Sequence, residues 1–117
     1  MEILGIDIGG SGMKGALVNT DTGELTTKRF RIPTPTSRRP YEMAQVFKDI
    51  VTHFDYEGPI GCGFPTITKH GVCKSTSNLN KQWLNVDIKK LFSQATELPV
   101  TVINDADAAG YAVMNYG

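Results

Sequence analysis

One short segment constrains the fold of this chain more than any other, an apolar run with a single carboxylate that ends in a glycine-rich turn. The run covers residues 2–8 and is interrupted by Asp7, and glycines follow at positions 9, 10 and 12. Such a run is typical of a strand buried on both faces. Because an ionised carboxylate is costly in apolar surroundings, we expect Asp7 at the open end of the sheet. A phosphate can approach glycine N–H groups closely, but a ligand-free hairpin turn explains the motif equally well.

Composition narrows the class of protein. The chain has 117 residues, enough for one ordinary domain, and its 12 Lys and Arg balance its 12 Asp and Glu. A neutral chain has no net field that would attract nucleic acid or an anionic membrane. Without an apolar run of ~20 residues or a signal peptide, we expect a cytoplasmic protein with no membrane or nucleic-acid partner. Cys62 and Cys73 are too few for a disulfide scaffold, and we expect Cys62 in the core.

Hydrophobic periodicity predicts an alternation of strands and helices. The predicted strands are residues 2–8, 13–19, 25–32, 59–64 and 100–103. The predicted helices cover residues 40–54 and 88–95, with a third helix beginning at Asn104-Asp105 and a hairpin through His70-Gly71 in the irregular segment 66–85. The order β-β-β-α-β-α-β-α predicts three antiparallel strands followed by parallel ones. The fold class is therefore α/β, a mixed five-stranded sheet with helices on both faces.

Three polar elements follow strands that this topology makes parallel. They are Asp7, the Phe64-Pro65 turn and Asn104-Asp105. Open α/β sheets usually bind ligands at the carboxyl ends of their strands, so we expect these elements to meet at one edge. Asp105 at a helix start is either a plain N-cap or a base that accepts the proton of a hydroxyl attacking a phosphoryl group. Asn104 beside it offers a donor and an acceptor for the hydroxyls of a polyol.

The segment 75–83 is dense in hydroxyl and amide side chains, which suit a sugar but also a merely solvated loop. We expect Trp83 to anchor this loop in the core rather than to stack on a ligand. The role of Lys81 stays open. His53 and His70 have no ligand partners at suitable spacing, so we expect solvated turn histidines and no histidine metal site.

These motifs together resemble a known family. Asp7-Ile8-Gly9-Gly10-Ser11 with Lys14-Gly15 resembles the first phosphate motif of the actin-like sugar kinase superfamily. Gly63-Phe64-Pro65 and residues 104–109 resemble the sugar-side signatures of its ROK branch (repressors, open reading frames, kinases). Within that branch, residues 10–15 and 78–83 are most similar to the polyphosphate glucokinases.

The resemblance implies a ribonuclease H-like sheet and a glucokinase that moves a phosphoryl group from polyphosphate or ATP to the 6-hydroxyl of glucose. It implies that Asp105 is the general base and that Asp7 orients hydrated Mg2+. The implied sugar contacts are Asn78, Asn104, Asp105, Ser77 and Lys81. The implied phosphate contacts are Asp7, Gly9, Gly10, Ser11, Gly12 and Lys14.

The sequence also departs from the family pattern. Thr66 and Asn80 stand where glycine and aspartate are usual, which weakens the expected turn geometry and donor preference. The motifs of a second lobe are absent, so we expect the amino-terminal lobe of a two-lobed, homodimeric kinase. We expect this lobe to be inactive alone, because both walls of the cleft are needed to position the reactants. Two alternatives are a sugar-sensing repressor domain, disfavoured by the lack of room for a helix-turn-helix before Glu2, and a kinase for another hexose.

Overall fold

The structure is a computed structural model that describes residues 1–9, 11–64, 68–69, 72–73 and 81–104. For residues 68–69, 72–73 and 103–104 only the backbone is described. The elements in chain order are β1 (Glu2–Ile8), β2 (Gly12–Asn19), β3 (Phe30–Pro33), α1 (Pro40–His53), β4 (Ile60–Phe64), β5 (Thr68–Lys69), β6 (Val72–Cys73), α2 (Ile88–Thr96) and β7 (Val100–Asn104), with a 3-10 turn at Lys81–Trp83 before α2.

The main sheet has five strands in the order β3-β2-β1-β4-β7. The first three strands are antiparallel, whereas β1 with β4 and β4 with β7 pair in parallel. Strands β5 and β6 form the predicted hairpin apart from this sheet. The mixed five-stranded α/β sheet is therefore confirmed, and the third predicted helix lies outside the described residues.

Alternation along the strands separates a buried face from an open one. On the buried face, Leu4, Ile6 and Ile8 of β1 are at most 2% exposed. Both described helices cover this face. Helix α1 lies so close to β2 that a Cβ built on Gly15 would meet it, and α2 packs against α1 and β7. Helices on both faces were predicted, and the two described helices lie on one of them. Within the described part of the chain, no helix is both long and apolar enough to cross a membrane.

The two helices begin and end in different ways. Helix α1 has Pro40 in its first turn, where a missing N–H costs little, and no side-chain cap. Helix α2 is capped by Asp87, whose Oδ1 accepts a hydrogen bond from the Lys90 N–H at 2.9 Å. Glu97 then ends α2 in the left-handed conformation.

The third strand is shorter than predicted. Residues 25–32 alternate like a strand, but the ladder covers only Phe30–Pro33, with an isolated bridge at Leu25. Between them, the Thr27 hydroxyl accepts the hydrogen bond from the Leu17 N–H at 3.1 Å. A side chain thus replaces the backbone acceptor, as threonine can do, and the regular ladder is lost there.

Trp83 is completely buried, as predicted for a loop anchor. Its ring centroid lies 4.9 Å from Phe64 of β4 and 6.0 Å from Phe92 of α2. Its indole Nε1 donates a hydrogen bond to the carbonyl of Arg38 at 2.8 Å. One side chain therefore fastens both the 3-10 turn and the connection before α1 to the core.

Gly15 and Gly61 provide a matched test of this packing. A Cβ on Gly15 would lie 2.5 Å from Ile50 Cγ2 of α1, whereas a Cβ on Gly61 has no atom within 4 Å. We expect Gly15→Ala to lower the free energy of unfolding by about 1–3 kcal/mol, because α1 must shift away from the sheet. Gly61→Ala should leave it unchanged or slightly raised. Urea denaturation measures both, and equal effects would contradict the packing described.

Candidate functional site

The glycine turn between β1 and β2 is closed by its own backbone. The Gly9 N–H donates to the carbonyl of Gly12 at 3.0 Å. A Cβ on Gly9 would lie only 2.7 Å from that same carbonyl oxygen, so a side chain there is incompatible with the closed turn. Gly10 lies outside the described residues. The sequence therefore predicted the turn correctly, and close backbone approach explains the glycine at position 9.

The carboxyl ends of three parallel strands meet at one edge of the sheet. In the register, Asp7 of β1 lies beside Gly63 of β4, and Phe64 of β4 lies beside Asn104 of β7. Asp7 is exposed, and its neighbour Gly63 has no side chain to cover it. The predicted convergence at this edge is confirmed for these described positions, and Asp105 follows Asn104 directly in the sequence.

A row of charged residues crosses the open face next to the turn. Asp7 pairs with Lys14 of β2, and Lys14 pairs with Arg31 of β3. Directly paired residues project from the same face of the sheet, and all three are exposed. Lys14 was predicted as a phosphate contact, whereas Arg31 was not. The alternation Phe30-Arg31-Ile32 places Arg31 on the polar face, but only strand pairing shows that it lies beside Lys14.

Residues at the end of β3 contact the turn directly. The Thr34 hydroxyl donates to the carbonyl of Gly9 at 2.6 Å, and the Thr34 N–H donates to the carbonyl of Ser11 at 3.2 Å. Arg31 Nη2 donates to the same Ser11 carbonyl at 3.0 Å. These supports were not predicted from the sequence, because they join segments that are 20 or more residues apart.

The sugar-side residues are only partly within the described structure. Lys81 is exposed at the start of the 3-10 turn, two residues before buried Trp83. Asn104 ends β7, and its backbone alone is described. Ser77, Asn78 and Asp105 lie outside the described residues. The described part of the candidate site is thus the glycine turn with its neighbours and the strand ends of β1, β4 and β7.

His53 and Cys62 are the histidine and the cysteine whose side chains lie within the described structure. His53 is exposed, as predicted for a solvated histidine, but it lies in the last turn of α1 and stacks on Phe30 with ring centroids 3.6 Å apart. His70 lies outside the described residues. Among the residues that are described, no three His, Cys, Asp or Glu are grouped to hold a metal ion. Cys62 is buried as predicted, and burial, assisted by the Asp7 charge, raises the pKa of its thiol.

Comparisons with known proteins agree with this arrangement. The model of the ROK family matches residues 3–117. Polyphosphate glucokinase from Mycobacterium tuberculosis is 38% identical over 114 residues, which are 97% of this chain and 43% of that protein. The crystal structure of inorganic polyphosphate/ATP-glucomannokinase from Arthrobacter sp. strain KM has a TM-score of 0.93 and 42% identity, covering 99% of this chain and 49% of that one.

A more distant solved structure shares the fold. The ROK family glucokinase from Streptomyces griseus, in complex with glucose and AMPPNP, superposes with a TM-score of 0.80 at 24% identity. It is covered over 37% of its length, while all of this chain is matched. This chain therefore spans less than half the length of each of the three proteins.

The buried thiol of Cys62 makes the free energy of unfolding depend on pH. A thiol whose pKa is raised on folding stays protonated in the folded state after it ionises in the unfolded chain, above a pH of about 8.5. We expect the free energy of unfolding to fall between pH 7 and pH 10 by about 2 kcal/mol more for the unaltered chain than for Cys62→Ala. Urea denaturation at both pH values measures this, and an equal fall would contradict the burial of the thiol.

Proposed function

Because the chain belongs to the ROK family, we propose that it forms the amino-terminal lobe of a two-lobed sugar kinase. In this proposal the complete enzyme transfers a phosphoryl group from polyphosphate or ATP to the 6-hydroxyl of glucose. The names of the two relatives above 35% identity support the reaction class and both donors. Their greater length supports a second lobe that supplies the other wall of the cleft.

One observation carries this proposal: the glycine turn and the carboxyl ends of β1, β4 and β7 lie at the same edge of the sheet. The turn connects the strands that carry exposed Asp7 and Lys14, and Asn104 ends the third parallel strand. A phosphoryl transfer needs a phosphate donor and a sugar hydroxyl held side by side and in line. At this edge, the glycine turn proposed to bind phosphate and the segment from Asn104 onward, proposed to bind sugar, follow β1 and β7, the two strands that flank β4.

The donor side is assigned to the turn and to the cation beside it. Gly9, Gly10, Ser11 and Gly12 form the turn that receives the phosphate: the Gly9 N–H closes the turn on the Gly12 carbonyl, and the N–H groups of the three following residues are the proposed donors. Lys14 adds positive charge on the exposed face. Asp7 suits Mg2+, which commonly binds through one or two carboxylates, waters and the phosphates of the substrate. When bound, the ion neutralises charge on the transferring phosphoryl group.

The acceptor side is assigned to residues that follow β4 and end β7. Asn78, Ser77, Lys81 and Asn104 hold sugar hydroxyls, and Asp105 lies close enough in sequence to Asn104 to share the same edge. Asp105 accepts the proton of the 6-hydroxyl as its oxygen forms a bond to phosphorus and the phosphoanhydride bond of the donor breaks. The leaving group is ADP or the shortened polyphosphate.

A second hexose is a reasonable substrate of the same site. The relative with 42% identity is called a glucomannokinase, and Asn104, Asp105 and the glycine turn would serve glucose and mannose alike. The reaction type is unchanged in that case, and only the acceptor differs.

Asp105→Asn in the complete kinase tests the assignment of the base. We expect kcat to fall by at least about 100-fold, because the amide cannot accept the proton, while glucose affinity changes by less than about threefold. Asp107→Asn is the matched control, since position 107 is about 200° around a helix from position 105 and should keep near-normal turnover. A coupled glucose phosphorylation assay and calorimetry give the two quantities. Equal losses in turnover and binding would remove Asp105 from the role of base.

The 117-residue chain alone should have little or no kinase activity. One wall of the cleft cannot hold donor and acceptor in line, which is where most of the catalytic advantage of such enzymes arises. The same coupled assay, run with glucose and either polyphosphate or ATP, compares this chain with the complete protein. Comparable turnover in the two samples would refute the two-lobed arrangement.

A further inference from the structure

The connection that follows β3 contacts the glycine turn at two carbonyl groups. Thr34 Oγ1 donates to the Gly9 carbonyl at 2.6 Å, while the Thr34 N–H and Arg31 Nη2 donate to the Ser11 carbonyl at 3.2 and 3.0 Å. We call Arg31 and Thr34 the clamp. Thr34 is partly buried, so its hydrogen bonds are shielded from water more than those of a fully exposed loop.

Holding a carbonyl also orients the N–H that follows it. In a planar trans peptide, the C=O of one residue and the N–H of the next point in opposite directions. A bond to the Ser11 carbonyl therefore directs the Gly12 N–H away from β3. Glycines lose more conformational freedom on ordering than other residues do. Ordering an unsupported glycine turn when the phosphate binds would therefore weaken the binding of the phosphate.

The clamp itself is held by regular structure. Arg31 pairs with Lys14 within the sheet, and the guanidinium lies over Gly12, where a Cβ would be 2.4 Å from Arg31 Nε. At the other end of the same connection, the carbonyl of Arg38 accepts the hydrogen bond from buried Trp83. The connection that carries Thr34 is therefore held by the sheet at one end and by buried Trp83 at the other, which is what a precise support requires.

We propose that Thr34 and Arg31 are positioning residues that pre-form the glycine turn for the donor phosphate. This inference rests on the proposed kinase function for its reaction, and on the clamp contacts for its residues. A turn that is already ordered needs little reorganisation when the phosphate arrives, so binding of the phosphate donor gains affinity while sugar binding does not.

The test uses the complete kinase with three substitutions. Thr34→Val removes the hydroxyl at nearly constant volume, and Thr34→Ser keeps a hydroxyl. Thr52→Val is the matched control, because the Thr52 hydroxyl also donates to a backbone carbonyl, that of Lys48 at 3.0 Å, but within α1. We expect Thr34→Val to raise the KM for the phosphate donor by about fivefold to tenfold, the effect of losing one hydrogen bond. The KM for glucose should change by less than about twofold, and Thr34→Ser should restore the donor KM.

Hydrogen exchange of the turn gives a readout that does not depend on activity. The Gly9 N–H donates within the closed turn, so its exchange should be faster in Thr34→Val than in Thr52→Val or the unaltered protein. Mass spectrometry of the peptide that contains residues 9–12 measures it. If the unaltered protein phosphorylates no hexose, the proposed function is refuted. Hydrogen exchange of the turn alone would then decide whether the clamp holds the turn. Equal exchange in the two valine variants, or a donor KM that Thr34→Ser does not restore, would overturn the clamp.

Discussion

The parallel pairing of β1 with β4 and of β4 with β7 is the constraint on which the rest of the structure depends. It aligns Asp7 with Gly63 and Phe64 with Asn104, so that segments almost 100 residues apart in sequence end at one edge. Parallel neighbours require crossover connections, and α1 and α2 serve as those crossovers. Burial of one sheet face beneath these helices keeps the register, because a slip of one residue would expose the whole apolar set.

The buried face supports the site from below. Phe47 of α1 stacks on Phe92 of α2 with centroids 4.2 Å apart, and Trp83 packs beside Phe92 and Phe64. These rings join both helices to β4, whose carboxyl end lies at the same edge of the sheet as those of β1 and β7. Since Trp83 also holds the Arg38 carbonyl, the same aromatic cluster fixes the connection that carries Thr34. A few buried side chains therefore connect the packing of the core with the support of the glycine turn.

Much of the fold was predictable because periodicity records burial directly. The strands β1, β4 and β7, both helices and the structural role of Trp83 follow from local patterns. The third strand was predicted too long, and the stacking of His53 on Phe30 was not predicted, for the same kind of reason. The Thr27 hydroxyl takes the place of a ladder acceptor, and Phe30 supplies a ring on which His53 stacks. Both effects come from residues far along the chain, which local propensity does not include.

The sequence alone determined a glycine turn after β1 and an exposed carboxylate just before it, because a side chain at Gly9 would clash with the turn and a buried charge at Asp7 would be costly. Tertiary structure decided which other groups reach that turn. Arg31 and Thr34 carry no local signal, since a cation or a hydroxyl on a polar strand face is ordinary. Their contacts with Ser11 and Gly9 exist only because strand pairing brings β3 beside β2. Hydrogen bonds act over about 3 Å, so partners remote in sequence are defined by the folded chain and not by its composition.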